Sequence, residues 1–252
     1  MINTESLPMI NNAIILSAGQ GSRLLPLTES LPKCLIEFSG KTLLAWQIDA
    51  LVANGVSRID VVTGFMSEKV EAELVRLARP GVTLNAQFNP FYKVADNLGS
   101  CWIARDAMDS DFLILNGDTL VSTEIVACLL EESAWPIRVT VDVKPAYDSD
   151  DMKVSCDGER LTAIGKTLPA AASNAESIGF LAFRGDGALL FRERVAGFMR
   201  TPAGVENWYL KVIDSLAPTG KVGTCSIAGL GWAEVDFLND VQAAEALTQQ
   251  WA

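Results

Sequence analysis

Histidine is absent from the 252 residues. That absence removes His-dependent acid–base and nucleophilic mechanisms. The five cysteines, Cys34, Cys101, Cys128, Cys156 and Cys225, are scattered with no C-x-x-C pair, so no Cys/His zinc site is expected either. They read as reduced residues of a cytoplasmic protein. Basic residues are scarce: 20 Lys and Arg stand against 31 Asp and Glu, a net charge of −11. A general nucleic-acid or anionic-membrane surface needs a basic face, so neither is an expected partner, and any phosphate site must be a local basic island. No apolar run of about 18 residues exists to span a bilayer. The N-terminus, MINTESLPMINN, lacks a basic region leading into an apolar stretch, so no signal peptide is expected and residues 1 to about 11 read as a loose leader. Two named phosphate loops are also missing, G-x-x-x-x-G-K-[ST] and the three-glycine G-x-G-x-x-G.

What is present begins with a hydrophobic content of 49%, enough for one large α/β core in a chain of this length. Ala13 to Leu16 is a short apolar run suited to a buried strand, and it empties into Ala18-Gly19-Gln20-Gly21-Ser22-Arg23. Gly19 and Gly21 carry no Cβ and can take positive φ, so the backbone N–H groups of this loop can close around an anion. Arg23 adds a planar fork of donors suited to phosphate, and Lys33, behind Pro26 and Pro32, adds a point charge. A bare G-x-G also serves as a tight turn between two elements.

Apolar spacing along the chain predicts helices over 41–54, with Gly55 as a stop, and over 67–78, which Ser67 can cap. Strands are predicted over 58–63 and 82–88, a short helix over 98–107, a buried strand over 112–115 and a helix over 122–131. This alternation predicts a parallel sheet with helices on both faces and a ligand site at the carboxyl ends of its strands. The second half predicts strands over 137–143, 152–166 with a turn at Asp157-Gly158, 177–183, 222–227 and 232–235. Helices are predicted over 188–199, 206–216 and 238 to about 249. With no linker or repeat, one domain is expected over 1–252, its alternating first half over residues 12–135 and its mixed second half over residues 136–252.

Asp118 follows FLILNG at a predicted strand end, and Asp236 follows WAEV. Either alone could be a turn or cap residue. Together they could hold a hard cation against polyphosphate charge.

The longer string around the loop, matched by Ala18, Gly19, Gly21, Arg23, Leu24, Pro26, Thr28, Pro32 and Lys33, resembles the nucleotide-binding loop of the sugar nucleotidyltransferase superfamily. Asp118 and Asp236 match that superfamily's metal-binding aspartates, the latter within Glu234-Val235-Asp236. Asp150-Asp151-Met152-Lys153-Val154, Ile164-Gly165-Lys166, Glu176 to Phe180, Asn89 with Asn97 and Ser100, and Trp208-Tyr209 resemble the branch of CTP:phosphocholine and 2-aminoethylphosphonate cytidylyltransferases. The resemblance covers almost everything from residue 13 onward. It implies a Rossmann-like three-layer α/β/α fold with a mostly parallel central sheet and a mixed α+β substrate lobe, residues 12–135 being mainly nucleotide-binding and residues 136–252 mainly acceptor-binding. It implies Mg²⁺ on Asp118 and Asp236, and nucleotide contacts from Leu16, Ala18, Gly19, Gln20, Gly21, Ser22, Arg23, Lys33, Asn89, Asn97, Ser100 and Asp118. It also implies acceptor contacts from Lys153, Lys166, Glu176, Trp208 and Tyr209.

The reaction so implied is attack by an acceptor phosphate or phosphonate oxygen on the α-phosphorus of CTP, with Arg23 and Lys33 as catalytic residues and pyrophosphate leaving. The acceptor oxygen is already ionised near neutral pH, so no general base is needed. Where the branch carries an acidic residue after its aromatic pair, this chain has Leu210, although Asp150, Asp151 or Glu176 could take that role. That departure leaves open another small phosphoryl acceptor, or a sugar 1-phosphate met by Glu176. Lys153 and Lys166 also suit solvated hairpins, and Trp208 and Tyr209 suit amphipathic packing. A catalytically silent nucleotide-sensing or subunit module stands as the reading from another class. An apolar helix face serves core or interface equally, so a homodimer also stays open.

Overall fold

The computed structural model describes residues 10–251. Most of the expected loose leader lies outside the described residues. Its last two positions are tied down: Ile10 is buried, and the Asn11 carbonyl accepts from the N–H groups of Ser57 and Arg58, both at 3.0 Å.

In the first half the chain runs β1 (Asn12–Ser17), β2 (Glu37–Phe38), β3 (Lys41–Thr42), α1 (Leu43–Ala53), β4 (Arg58–Thr63), α2 (Ser67–Arg76), β5 (Thr83–Phe88), α3 (Asn97–Ile103), β6 (Phe112–Asn116), β7 (Thr119–Val121) and α4 (Thr123–Leu130). The second half runs β8 (Ile137–Asp142), β9 (Lys153–Asp157), β10 (Arg160–Ile164), β11 (Ala175–Phe183), α5 (Asp186–Phe198), α6 (Ala203–Glu206), α7 (Tyr209–Leu216), β12 (Val222–Ser226), β13 (Trp232–Glu234) and α8 (Leu238–Trp251). No helix among the described residues is long and apolar enough to cross a membrane.

Nine strands form one sheet in the order β5-β4-β1-β6-β11-β8-β12-β10-β9. Every residue of β1 is buried because the strand lies inside the sheet with both faces covered. Its side chains alternate: Ile14 and Leu16 enter one core with α3, α5 and α7, while Ala13 and Ile15 enter another with α1, α2 and α4. The result is the Rossmann-like three-layer α/β/α arrangement. The pairings give β11 and β10 the opposite direction to the other strands, so the sheet is mostly parallel, with its antiparallel members in the second half. Because β11 runs backwards, its amino end carries Glu176 to the edge where β6 and β8 end.

Two helix predictions need correction. Ser67 does not cap α2; Met66 occupies the cap position at φ 48 and no side chain caps the helix. The helix predicted over 206–216 is broken, because Asn207 and Trp208 are extended between α6 and α7. The Asn97 side-chain oxygen accepts from the Tyr209 N–H at 2.9 Å and supplies the cap that starts α7.

Candidate active site

The chain leaves β1 at Ser17 and turns through the glycine loop at the carboxyl edge of the sheet. Gly21 sits at φ 73, and a Cβ there would lie 2.9 Å from Lys33 Cδ. A glycine is therefore required twice over, by the backbone and by the lysine stem that crosses beneath it. Thr28 Oγ1 donates to the Gly21 carbonyl at 2.8 Å and pins the loop.

Lys33 opens a short 3₁₀ turn behind Pro32 and sends its ammonium between two carboxylates. Nζ lies 2.9 Å from Asp118 Oδ2 and 2.5 Å from Asp236 Oδ1. Arg23 Nη1 holds the other Asp236 oxygen at 2.9 Å. A two-stranded ribbon brings the aspartates together: β13 pairs antiparallel with β7, Glu234 opposite Thr119, and the Val235 N–H donates to the Asp118 carbonyl at 3.0 Å.

The electrostatics follow from this crowding. Burial pulls the Lys33 ammonium down, but Asp118 and Asp236 together outweigh it and hold the lysine above its ordinary value. Glu234 is pushed up to about 8, first by burial and then by the charges of Asp118 and Asp236. The site thus gathers more negative charge than its lysine neutralises. Asp118 and Asp236 already bracket one cationic group with oxygen donors only, so the residues fit a small hard divalent ion.

From this point an open cavity of about 560 Å³ runs from Gly21, Ser22 and Arg23 past Asp118, Glu234 and Asp236 to Lys166, Glu176 and Trp208. A second cavity of about 180 Å³, lined by Leu16, Gly19, Lys33 and Gly117, shares Gly21, Asn97 and Asp118 with the first. The structure therefore brings Leu16, Gly19, Gly21, Ser22, Arg23, Lys33, Asn97, Asp118, Lys166, Glu176, Trp208 and Asp236 to one connected surface. Ala18 and Gln20 belong to the same loop but line neither cavity. Ala18 accepts from the Phe65 N–H at 2.9 Å, and the Gln20 amide reaches the Thr28 carbonyl at 3.4 Å.

Four expected contacts lie elsewhere. Asn89 is fully buried and donates to Ser100 Oγ at 3.1 Å, so this pair fixes the segment between β5 and α3 instead of facing a cavity. The Lys153 ammonium is turned inward and donates to the Asp148 carbonyl at 2.6 Å. Tyr209 has no exposure and packs edge-on against Phe191, with ring centroids 6.5 Å apart. Of the aromatic pair only Trp208, 41% exposed, faces the cavity.

The far end of the cavity contains two residues that the sequence reading passed over, Lys144 and Asp148. Lys144 Nζ lies 2.7 Å from Glu176 Oε2 and 2.9 Å from Asp151 Oδ1. Glu176 is pushed up to about 7, chiefly by burial, with Lys144 pulling against that and Asp151 adding to it. Its second oxygen, Oε1, is buried without a partner. Asp148 and Asp150 line the same wall, and Lys166 Nζ stands 3.7 Å from Asp150 Oδ1 and 5.1 Å from the Trp208 ring centroid. Leu210 is a wall residue, and the acidic groups come from the loop before β9 and the start of β11. The acidic run 148–151, directly before a predicted strand, carries the signal for this wall, and the sequence offers two of its members, Asp150 and Asp151, in place of the missing acidic residue.

The nucleotidyl transferase family profile matches residues 12–150. CTP:phosphoglutamine cytidylyltransferase from Campylobacter jejuni is 37% identical, over 92% of this chain and 98% of that protein. CMP-5'-(3-aminopropyl)phosphonate synthase from Streptomyces rubellomurinus is 28% identical over 92% of this chain, which spans 38% of that longer protein. Among solved structures, the CTP:phosphocholine cytidylyltransferase of Streptococcus pneumoniae superposes with a TM-score of 0.77 at 19% identity, covering 95% of this chain and 100% of that one. The inositol-1-phosphate CTP transferase of T. maritima reaches 0.78 at 21% identity, covering 96% of this chain and 97% of that one. That likeness bears on the fold, which is the nucleotide-diphospho-sugar transferase fold. With the glycine loop, the lysine and both aspartates on one surface, this chain belongs to the nucleotidyl transferase family and is a nucleotidyltransferase.

Proposed function

We propose that the enzyme transfers CMP from CTP to a small phosphorylated or phosphonate acceptor that carries an amino group, releasing pyrophosphate in a Mg²⁺-dependent reaction. The observation that carries this reading is one cavity with a phosphate loop at one end and an acidic, Trp208-bearing wall at the other. Cytidylyltransferases acting on phosphorylated and phosphonate compounds among the relatives support the nucleotide and the acceptor class. The acidic wall supports the amine, because Asp148, Asp150, Asp151 and Glu176 together exceed the charge of Lys144 and Lys166. A cationic head group would be drawn there, and the exposed Trp208 face suits an ammonium.

In this reading the triphosphate lies under Gly19 to Arg23. Asp118 and Asp236 would hold Mg²⁺; no group of three or more ligating side chains closes on one point among the described residues, so substrate oxygens and water would complete the shell. Bound there, the ion would draw negative charge off the phosphates and help to fix the α-phosphate. Lys33 and Arg23, released from the aspartates, would turn to the α-phosphoryl oxygens and the departing pyrophosphate. Lys166 would hold the acceptor's phosphoryl group, whose ionised oxygen attacks phosphorus in line as the bond to pyrophosphate breaks. Catalysis is then positioning plus charge stabilisation.

The test is pyrophosphate release with Mg²⁺, crossing CTP, UTP, GTP and ATP against amino-bearing phosphates and phosphonates, uncharged phosphomonoesters and sugar 1-phosphates. Turnover confined to CTP with amino-bearing acceptors is the expected result. Preference for a sugar 1-phosphate, or for another nucleotide, would overturn it.

A further inference from the structure

Two of the cysteines scattered through the sequence meet in the fold. Cys128, near the end of α4, and Cys225, on β12, lie 97 residues apart, and their sulfurs are 3.0 Å from one another. All five cysteines are free thiols, and no other two are in contact among the described residues. Cys156 Sγ instead meets Asn174 Oδ1, while Cys34 and Cys101 are buried singly.

The pair is held in place by its surroundings. Arg138, on β8 beside β12, donates to the carbonyls of Cys128 and Leu129, both at 3.2 Å, and of Glu131 at 3.1 Å. Arg184 donates to the Leu130 carbonyl at 2.7 Å. These contacts fasten the carboxyl end of α4 onto the sheet, so the two thiols are already together before any bond forms. A disulfide needs its sulfurs at about 2.05 Å, an approach of about an ångström from where they stand. Exposure divides the pair: Cys128 is half-buried and can be reached, whereas Cys225 is 2% exposed. Burial pushes the Cys225 thiol up to about 12 and keeps it protonated, so Cys128 is the sulfur that an oxidant meets first.

We propose that Cys128 and Cys225 are a modification site, a dithiol that closes to a reversible intramolecular disulfide on reaction with hydrogen peroxide. The Cys128 sulfur attacks one peroxide oxygen, the O–O bond breaks, and the departing hydroxide is protonated to water, leaving a sulfenic acid. The Cys225 sulfur then displaces the sulfenic hydroxyl, which leaves as a second water with the Cys225 proton. Two thiols are oxidised by two electrons, and one peroxide is reduced to two waters. The bond ties α4, which follows the strand after Asp118, to β12, which leads into the strand before Asp236. Oxidation therefore braces the ribbon that carries both carboxylates.

The test is hydrogen peroxide treatment of the full chain, followed by intact mass, peptide mapping and thermal unfolding. The expected result is a loss of about 2 Da in the monomer, a single Cys128–Cys225 linkage, a melting temperature raised by several degrees, and reversal of all three by dithiothreitol. Cys128→Ser and Cys225→Ser should each abolish the mass loss, and Cys225→Ser should leave Cys128 open to oxygen addition. Oxygen added to Cys128 of the wild-type chain without a linkage would overturn the inference. So would a bond to Cys156, a cross-link between chains, or a two-hydrogen loss that persists in either serine variant.

Discussion

Lys33→Met removes the ammonium from between Asp118 and Asp236 while keeping the stem that fills the space beneath Gly21. The lysine side chain is 13% exposed, and its two partners are 24% and 26% exposed. At an effective dielectric of about 20, each contact is worth roughly 6 kcal/mol before solvation is counted. Much of this is already offset by the cost of burying the ammonium, and water reaches the half-open carboxylates once it is gone. The net loss should be about 2–3 kcal/mol, toward the lower edge of the range for breaking a buried ion pair. For a chain of this length that corresponds to a fall of roughly 5–10 °C in melting temperature in chelator. Mg²⁺ should then raise the variant's melting temperature more than the wild type's, because in the wild type the ion must first displace the ammonium. Pyrophosphate release should fall by about 10²–10³-fold at saturating substrate, as when one preorganised charge is removed. The assays are thermal unfolding in chelator and over a Mg²⁺ series, with kcat measured in parallel. Unchanged stability in chelator, or equal Mg²⁺ increments in the two proteins, would refute the account of Lys33 as the counter-charge of this pair.

Gly21→Ala, at positive φ and against Lys33 Cδ, should cost about 1–3 kcal/mol by denaturant unfolding and raise the nucleotide KM. Glu176 has a folded-state value of about 7, above the ordinary 4.5. The folded chain thus holds this proton more tightly than the unfolded chain, and the stability it contributes is fully present below pH 4.5 and lost as pH rises through 7. Glu176→Gln should flatten that part of the pH–stability curve, which urea midpoints from pH 4 to 8 would measure. Trp208→Ala should raise the acceptor KM about tenfold, near 1.4 kcal/mol, while leaving the nucleotide KM unchanged; steady-state kinetics with each substrate varied would check it.

How much of this could be read beforehand depended on whether the cause was local. β4, predicted over 58–63, needed only its own run of branched residues. The glycine loop and the FLILNG–Asp118 strand end were legible because each is a short segment whose chemistry and geometry are set together. The break before α7 was not legible, because Trp208 and Tyr209 continue an apolar pattern and the cap that stops it comes from Asn97, 112 positions away. Lys153 was assigned outward because a strand pattern gives alternation but not the path of the loop whose carbonyls capture its ammonium. Lys144 lay just past a predicted strand, and its importance depends on where β11 runs, since only an antiparallel β11 presents Glu176 to it.

The ribbon of β7 and β13 has a consequence for how the enzyme comes into being. β7 follows directly on the strand end bearing Asp118, yet its partner β13 arrives only after almost the whole second half has been laid down. Lys33 and Asp236 are 203 residues apart, so the loop that closes the catalytic centre is nearly as long as the chain. Closing so long a loop is entropically costly and comes late. A ribosome-bound chain can assemble β1, β4, β5 and β6 and bury their apolar faces while its second aspartate is still unmade. The first half of the sheet can therefore take shape early, but the two aspartates meet in one step, when the last ribbon zips shut.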